Sequence, residues 1–141
     1  MFKLDTKILV VDDMLTMRKI ISKQLKEFGF TNITEADDGI KAWPLIEQAH
    51  QIGHPFQLIL SDWNMPQMKG IELLAKVRGD EKLKEVPFVL ITAESEKTQV
   101  IEAVKLQVSN YIVKPFTSDQ LKEKLETAHK KHNAPSSVKI A

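Results

Sequence analysis

The chain alternates short apolar runs with stretches of helical periodicity, and the alternation repeats five times. Five runs have the length of β-strands: KILVV, NITEA, FQLILS, PFVLIT and NYIVK, of which KILVV and FQLILS are apolar enough to be buried. After each run, apolar residues recur every three or four positions, which is the pattern of an amphipathic helix. Alternating strands and helices form parallel sheets with helices on both faces. The sequence therefore predicts an α/β fold built on a doubly wound, five-stranded parallel sheet.

The ends of the predicted helices also carry signals. Gly29 follows the first helical pattern and is expected to end that helix, since glycine readily adopts the left-handed conformation found after many helices. Ser95 and Ser118 precede the fourth and fifth patterns and are expected to act as N-caps.

Length and composition indicate one folded domain. The 141 residues are 43% hydrophobic, which is enough for one substantial core. We place this domain at residues 1–132, because the segment 133–141, NAPSSVKIA, shows no periodicity. That segment is expected to be a disordered tail.

Charge balance and the lack of cysteine exclude several classes of function. A formal net charge of +1 differs from the basic surplus of proteins that bind nucleic acids or membrane surfaces. Without cysteine there are no disulfides and no thiolate metal sites. No segment approaches the ~18 apolar residues of a membrane span, and the N-terminal apolar run is too short for a signal peptide. The chain is expected to be soluble and cytoplasmic, with no nucleic-acid or membrane partner.

Reactive or charged side chains follow four of the five predicted strands. They are Asp12 and Asp13 after the first strand, Asp62 at the end of the third, Thr92 at the end of the fourth and Lys114 at the end of the fifth. The carboxyl ends of parallel strands meet at one edge of the sheet, where doubly wound folds bind ligands. Each signal is weak alone, since an isolated DD is more often a solvated turn. Their joint occurrence predicts a functional site.

Three carboxylates at one sheet edge repel one another unless a cation compensates them. Oxygen ligands without cysteine or histidine favour a hard ion, and Mg²⁺ suits a site of carboxylates, water and a phosphate. Lys114 adds a positive charge and Thr92 a hydroxyl. Such a set would stabilise a transferring phosphoryl group. One carboxylate would then be the nucleophile that forms an aspartyl phosphate.

Four segments resemble a known family. ILVVDDMLTMRKII, SDWNMPQMKGIELL, VLITAES and YIVKPFTSDQLKEKL are similar to the receiver domains of bacterial two-component response regulators, especially the single-domain regulators of chemotaxis. The resemblance extends over roughly residues 5–130. It implies a flavodoxin-like (βα)5 fold with strand order 2-1-3-4-5.

The resemblance assigns roles at the acidic site. Asp62 is implied to be the phosphoacceptor. Asp13, Asp62 and the backbone carbonyl of Asn64 are implied to bind Mg²⁺ directly, and Asp12 through a water molecule.

Further roles follow from the same resemblance. Thr92 is implied to supply the hydroxyl that moves to the phosphoryl group, and Lys114 the amine that pairs with it. Tyr111 matches the aromatic rotamer switch of the family, although an ordinary half-buried aromatic residue would give the same pattern. Asn64 and Glu94 occupy the positions that tune dephosphorylation. The bond between Lys114 and the following proline is implied to be cis.

The function that follows is a phosphorylation-dependent switch. A histidine kinase would donate the phosphoryl group, and the protein would catalyse only its own phosphotransfer and autodephosphorylation. No second folded domain is predicted, so output is expected through state-dependent binding of a partner by a monomer. The resemblance implies the flagellar motor switch as that partner, at the surface of helix four, strand five and helix five. A phosphatase is a further candidate partner.

Three alternative functions would use a similar acidic site at the edge of the sheet. A phosphorelay shuttle would pass the phosphoryl group to a histidine phosphotransfer protein. A Mg²⁺-dependent phosphohydrolase would need a general acid near its nucleophile, but Asn64 stands two residues after Asp62, where that acid is expected. A flavin-binding module of flavodoxin type would need a hydroxyl- and glycine-rich phosphate loop, but DDMLTM is acidic.

Several positions depart from the pattern of the family. The segment 47–56, EQAHQIGHPF, is longer than usual. Pro44 lies within the second helical pattern, so that helix either begins late or is kinked. Gln107 and Asn110 stand where the family has glycine, so the turn after helix four is expected to be strained or closed differently.

Overall fold

The computed structural model describes residues 2–93 and 97–133, and of residues 97–100 and 133 only the backbone. Ten elements alternate along the chain: β1 (Ile8–Val11), α1 (Leu15–Glu27), β2 (Ile33–Ala36), α2 (Gly39–Gln51), β3 (Leu58–Asp62), α3 (Gly70–Gly79), β4 (Phe88–Thr92), α4 (Lys97–Lys105), β5 (Asn110–Val113) and α5 (Ser118–Asn133). Met1, 94–96 and 134–141 lie outside this description, and with them Ser95, Glu94 and most of the predicted tail. Within the described residues, none of the helices has the length and apolar character that a bilayer crossing requires.

The five strands form one parallel sheet in the order β2-β1-β3-β4-β5. The predicted α/β class and the strand order implied by the family resemblance are both confirmed. The order reverses direction between β1 and β3, which are neighbours in the sheet. In such a sheet this switch point is where ligands bind.

Side chains alternate between the two faces of the sheet, because successive residues of a strand point in opposite directions. Leu9 and Ile59 face a core formed with α2 and α3, whereas Ile8 and Leu58 face a second core formed with α1 and α5. All four are fully buried. Burial on both faces explains why the inner strands read as continuous apolar runs rather than as alternating patterns.

Two of the predicted helix signals are settled by the structure. Gly29 has φ 105° and follows α1, as expected. The predicted cap at Ser118 is wrong, because Thr117 holds that position. The Thr117 hydroxyl accepts from the N–H of Gln120 at 3.1 Å, and the Gln120 side chain accepts from the N–H of Thr117 at 2.8 Å. This reciprocal capping box satisfies donors that the first helical turn leaves free.

The structure tests the expectations for the residues that depart from the family pattern, and each gives a different result. Pro44 lies inside α2, which begins at Gly39 with Asp38 as its side-chain cap, so a late start of the helix is wrong. Gln107 adopts φ 60°, which confirms the expectation of strain after α4. The N–H of Gln107 donates to Val104 and that of Val108 to Ala103, the pattern of a Schellman closure. Asn110 begins β5 in extended conformation instead.

Candidate functional site

Three carboxylates meet at the carboxyl edge of the sheet, between β1 and β3. Oxygen atoms of Asp12, Asp13 and Asp62 all lie within 4.8 Å of one another. Asp12 is fully buried and Asp62 nearly so, whereas Asp13 is exposed. The structure therefore brings together acids from the ends of two strands, the pair after β1 and Asp62 on β3.

Backbone geometry aims Asp12 into the pocket. Its N–H donates to the carbonyl of Ala36 at 3.1 Å, which extends the pairing of β1 with β2 by one residue. Its carboxylate accepts from the N–H of Met14 at 2.9 Å, just before α1 begins. The acidic pair thus lies in a tight turn from strand to helix, with Asp12 buried and Asp13 exposed.

Lys114 brings the opposite charge from β5. Its Nζ lies 3.1 Å from Asp62 Oδ1 and 3.4 Å from Asp12 Oδ2, and its side chain is only 16% exposed. The N–H of Lys114 donates to the carbonyl of Thr92 at 2.6 Å, which ties β5 to the end of β4. The Lys114–Pro115 bond is cis, as the resemblance implied.

The electrostatics of the pocket favour an added cation. Burial, together with the charge of Asp12, raises the pKa of Asp62 to about 6 despite the ion pair with Lys114. Burial also raises the pKa of Asp12, although Met14 and Lys114 hydrogen-bond its charged form. One ammonium group therefore does not compensate three carboxylates. The oxygen donor set and its excess negative charge fit a hard divalent cation.

The loop after β3 is held close to the site by backbone contacts. The N–H of Trp63 donates to Ile91 at 2.8 Å, and its carbonyl accepts from Gly70 at 2.9 Å. Trp63 and Met65 are buried in the core. A Cβ atom at Gly70 would lie 2.1 Å from the carbonyl oxygen of Asp62, so only glycine permits this approach. Sequence patterns do not identify Gly70 as a residue of this site, because its role depends on a tertiary contact.

Three of the remaining predicted site residues lie within the described part of the chain, on β4, on β5 and in the loop after β3. Thr92 is buried at the end of β4, one position beyond the residue that pairs with Asp62. Asn64 is exposed in the loop after β3. Tyr111 is half-buried on β5, and the ammonium of Lys124 lies 5.2 Å from its ring centroid. Glu94 lies outside the described residues.

A parallel five-stranded sheet with three acids and a lysine at its switch point defines a class of signalling domain. The chain belongs to the response regulator receiver domain family, whose sequence model matches residues 8–126. Proteins of this class are signalling switches. The resemblance inferred from the motifs is confirmed.

Named relatives are chemotaxis proteins. The chain is 48% identical over 127 residues to the chemotaxis protein CheY of Pseudomonas aeruginosa, a match that spans 90% of this chain and 98% of that protein. It is 49% identical over 120 residues to the chemotaxis protein CheY-3 of Vibrio cholerae, spanning 85% of this chain and 88% of that protein.

Solved structures give the same result for the fold. The chemotaxis protein CheY4 of Vibrio cholerae superposes with a TM-score of 0.76 at 30% identity, covering 88% of this chain and 98% of the other. The receiver domain of the response regulator NarL from Mycobacterium tuberculosis superposes with a TM-score of 0.76 at 29% identity, covering 90% and 98%.

Proposed function

We propose that this protein is a phosphorylation-activated regulator of chemotaxis that accepts a phosphoryl group on Asp62 and signals by binding a partner. The observation that carries the proposal is the position of Asp62. Its carboxylate lies 3.1 Å from the ammonium of Lys114 and within 4.8 Å of the oxygens of Asp12 and Asp13. In this pocket Asp62 would be the nucleophile, Lys114 the fixed cation, and Asp12 and Asp13 the acids that help to hold a metal.

The transfer reaction needs a donor with a labile phosphoryl bond, which a histidine kinase supplies. A carboxylate oxygen of Asp62 attacks the phosphorus of the phosphohistidine, the N–P bond breaks, and the electron pair stays on the imidazole nitrogen. Lys114 lies where its charge would stabilise the phosphoryl oxygens. Water later attacks the phosphorus, the bond between phosphorus and the Asp62 oxygen breaks, and inorganic phosphate leaves the free carboxylate.

Mg²⁺ is the metal that we assign to the acidic pair. Asp13, Asp62 and the backbone carbonyl of Asn64 would bind it directly, and Asp12 through water. When bound, it would neutralise negative charge on the carboxylates and on the incoming phosphoryl group. Asn64 and Glu94 would tune the rate of dephosphorylation.

Output would pass from Thr92 to Tyr111 and the surface of α4, β5 and α5. Thr92 would move toward the phosphoryl group and leave space into which Tyr111 turns. A cavity of about 320 Å³ adjoins Tyr111, between β5 and α5. On α4, Ile101 and Val104 are 52% and 61% exposed, so this surface offers apolar contact area to a partner. We infer a flagellar motor switch protein as the partner of a cytoplasmic monomer.

Phosphorylation is tested with a small donor. Wild-type protein is incubated with acetyl phosphate, with and without Mg²⁺, and its mass is measured at intervals. We expect a Mg²⁺-dependent, acid-labile gain of one phosphoryl group in the wild type and none in Asp62→Asn. Undiminished phosphorylation of Asp62→Asn would contradict the assignment.

Output is tested with beryllofluoride, which stands in for the phosphoryl group. The activated wild type should bind a flagellar switch peptide at least tenfold (~1.4 kcal/mol) more tightly than the free protein. Thr92→Ala should lose most of that difference while still accepting phosphate. Equal affinity of both states for the switch peptide, with tight binding to a histidine phosphotransfer protein, would favour a phosphorelay shuttle instead.

A further inference from the structure

Arg18 joins the acidic turn to the neighbouring strand. Its Nη1 donates to the carbonyl oxygen of Asp12 at 2.8 Å, and its Nε donates to Glu35 Oε1 at 3.3 Å. The side chains of Arg18 and Glu35 are only 14% and 23% exposed. One guanidinium group therefore connects α1, the end of β1 and β2.

Glu35 is itself held in place by two further donors. Lys19 Nζ and Ser22 Oγ each lie 3.1 Å from Glu35 Oε2, so the carboxylate receives donors on both oxygens. Although partial burial favours the neutral acid, the hydrogen bonds from Lys19 and Ser22 hold the pKa of Glu35 below its usual range. The guanidinium of Arg18 therefore pairs with a carboxylate that other hydrogen bonds hold in place.

The carbonyl that Arg18 holds belongs to the peptide bond between Asp12 and Asp13. Because a peptide unit is planar, fixing the Asp12 carbonyl also fixes the N–H and the Cα position of Asp13. Among the described residues, no hydrogen bond to the carboxylate of Asp13 accompanies the contacts at this turn. The direction of that exposed carboxylate therefore depends on its backbone.

We propose that Arg18, anchored by Glu35, is a positioning residue that orients the Asp12–Asp13 peptide for binding of Mg²⁺. The inference rests on the proposed function and deepens it, because it names the residues that set metal affinity without touching the metal. Groups that orient metal ligands typically change affinity by about 10–100-fold when they are removed.

The charge of Arg18 makes the sign of the effect informative. A cation near the pocket repels Mg²⁺, so removing its charge alone would tighten metal binding. Removing a positioning contact would weaken it. Lower Mg²⁺ affinity in Arg18→Met would therefore indicate a positioning role, whereas higher affinity would indicate only an electrostatic role.

Lys19 provides the matched control. It is a neighbouring cation on the same helix and contacts the same Glu35 carboxylate, but its side chain is 64% exposed. Lys19 contacts Glu35 and not the acidic turn, so Lys19→Met removes a charge and a Glu35 contact while leaving Arg18 on the Asp12 carbonyl.

The experiment measures Mg²⁺ dissociation constants by titration calorimetry on full-length variants, alongside urea unfolding without metal. We expect Arg18→Met and Glu35→Gln each to weaken Mg²⁺ binding about tenfold. Lys19→Met should stay within about twofold of wild type. The double variant of Arg18→Met and Glu35→Gln should bind no more weakly than Arg18→Met alone, because both act through one carbonyl. Arg18→Lys, which keeps the charge but not the two-pronged geometry, should weaken binding several-fold and provides a test if Arg18→Met does not fold.

Two outcomes would overturn the inference. One is tighter Mg²⁺ binding by Arg18→Met, which would leave only an electrostatic role. The other is unchanged Mg²⁺ affinity in Arg18→Met and Arg18→Lys with lowered stability in urea, which would make the contact merely structural. If neither the wild type nor Asp13→Ala binds Mg²⁺, the proposed metal site itself is contradicted, and not only the role of Arg18.

Discussion

At the scale of single residues, the carboxylate of Asp62 is buried beside other acids, which carries an electrostatic cost. Burial and the charge of Asp12 raise its pKa to about 6, and Lys114 offsets only part of this effect. In the unfolded chain the same carboxyl group has its ordinary pKa of 3.8. The ionised group therefore disfavours folding of the metal-free protein at neutral pH.

Replacing Asp62 should stabilise the metal-free protein in a pH-dependent way. Above about pH 7 the group is largely ionised in both states, so Asp62→Asn should raise the free energy of unfolding by about 1–3 kcal/mol. Between pH 6 and pH 4 native Asp62 takes up a proton before the unfolded chain does, which stabilises the wild type and shrinks the difference. Urea unfolding in EDTA at several pH values measures this change.

Asp5 supplies the control for that series, because its side chain is exposed. Asp5→Asn should follow the wild-type pH profile. A gain in Asp62→Asn that stays constant from pH 8 to pH 4 would contradict the electrostatic explanation.

At the scale of elements, steric contacts restrict the first residue of α3 to glycine but do not restrict its last residue. A Cβ at Gly70 would lie 2.1 Å from the Asp62 carbonyl oxygen, whereas a Cβ at Gly79 would meet no atom within 4 Å. The packing therefore requires glycine at Gly70 but would allow a larger residue at Gly79. Gly70 allows the helix to approach the end of β3, while Gly79 only increases the conformational entropy of the unfolded chain.

The glycines of α3 give a paired prediction. Gly70→Ala should destabilise the protein by about 1–3 kcal/mol, because the clash is with backbone and cannot be relieved by a side-chain rotation. Gly79→Ala should stabilise it by about 0.5–1 kcal/mol. Urea unfolding of both variants tests the pair, and equal effects would show that the contact at Gly70 is not limiting.

The turn after α4 gives a second paired prediction. Gln107 has φ 60°, so Gln107→Gly should raise the free energy of unfolding by about 1 kcal/mol. Asn110 begins β5, and its side chain donates to the carbonyl of Lys124 at 3.2 Å, so Asn110→Gly should lower it by about 1 kcal/mol. Thermal unfolding checks both. A loss of stability in Gln107→Gly would mean that contacts of the glutamine outweigh its backbone strain.

At the scale of the whole molecule, the pattern of apolar residues was enough to predict the fold class but not every contact. Alternating runs predicted the parallel sheet, and strand ends predicted the meeting of Asp12, Asp13 and Asp62. The strand order came only from family resemblance, since periodicity does not say which strands are neighbours. The contact of Arg18 with Glu35 spans 17 positions and two elements, and depends on how α1 lies against β2. The spacing of residues in the sequence does not predict such contacts.

Mg²⁺ should stabilise the whole protein, since a ligand that binds only the folded state adds stability by mass action. We expect a rise in melting temperature with Mg²⁺ in the wild type and little rise in Asp13→Ala. In EDTA, Asp13→Ala should be as stable as the wild type or more so, because a like charge has been removed. Identical Mg²⁺ shifts in both proteins would place the metal elsewhere.

The most direct test of the account is to locate the phosphoryl group chemically. The protein is treated with acetyl phosphate and Mg²⁺, the aspartyl phosphate is reduced with borohydride, and the modified residue is identified by peptide mass spectrometry. The account predicts Mg²⁺-dependent modification at Asp62, with Asp12 and Asp13 unmodified. Modification confined to Asp12 or Asp13, or equal modification of Asp62 in EDTA, would contradict it.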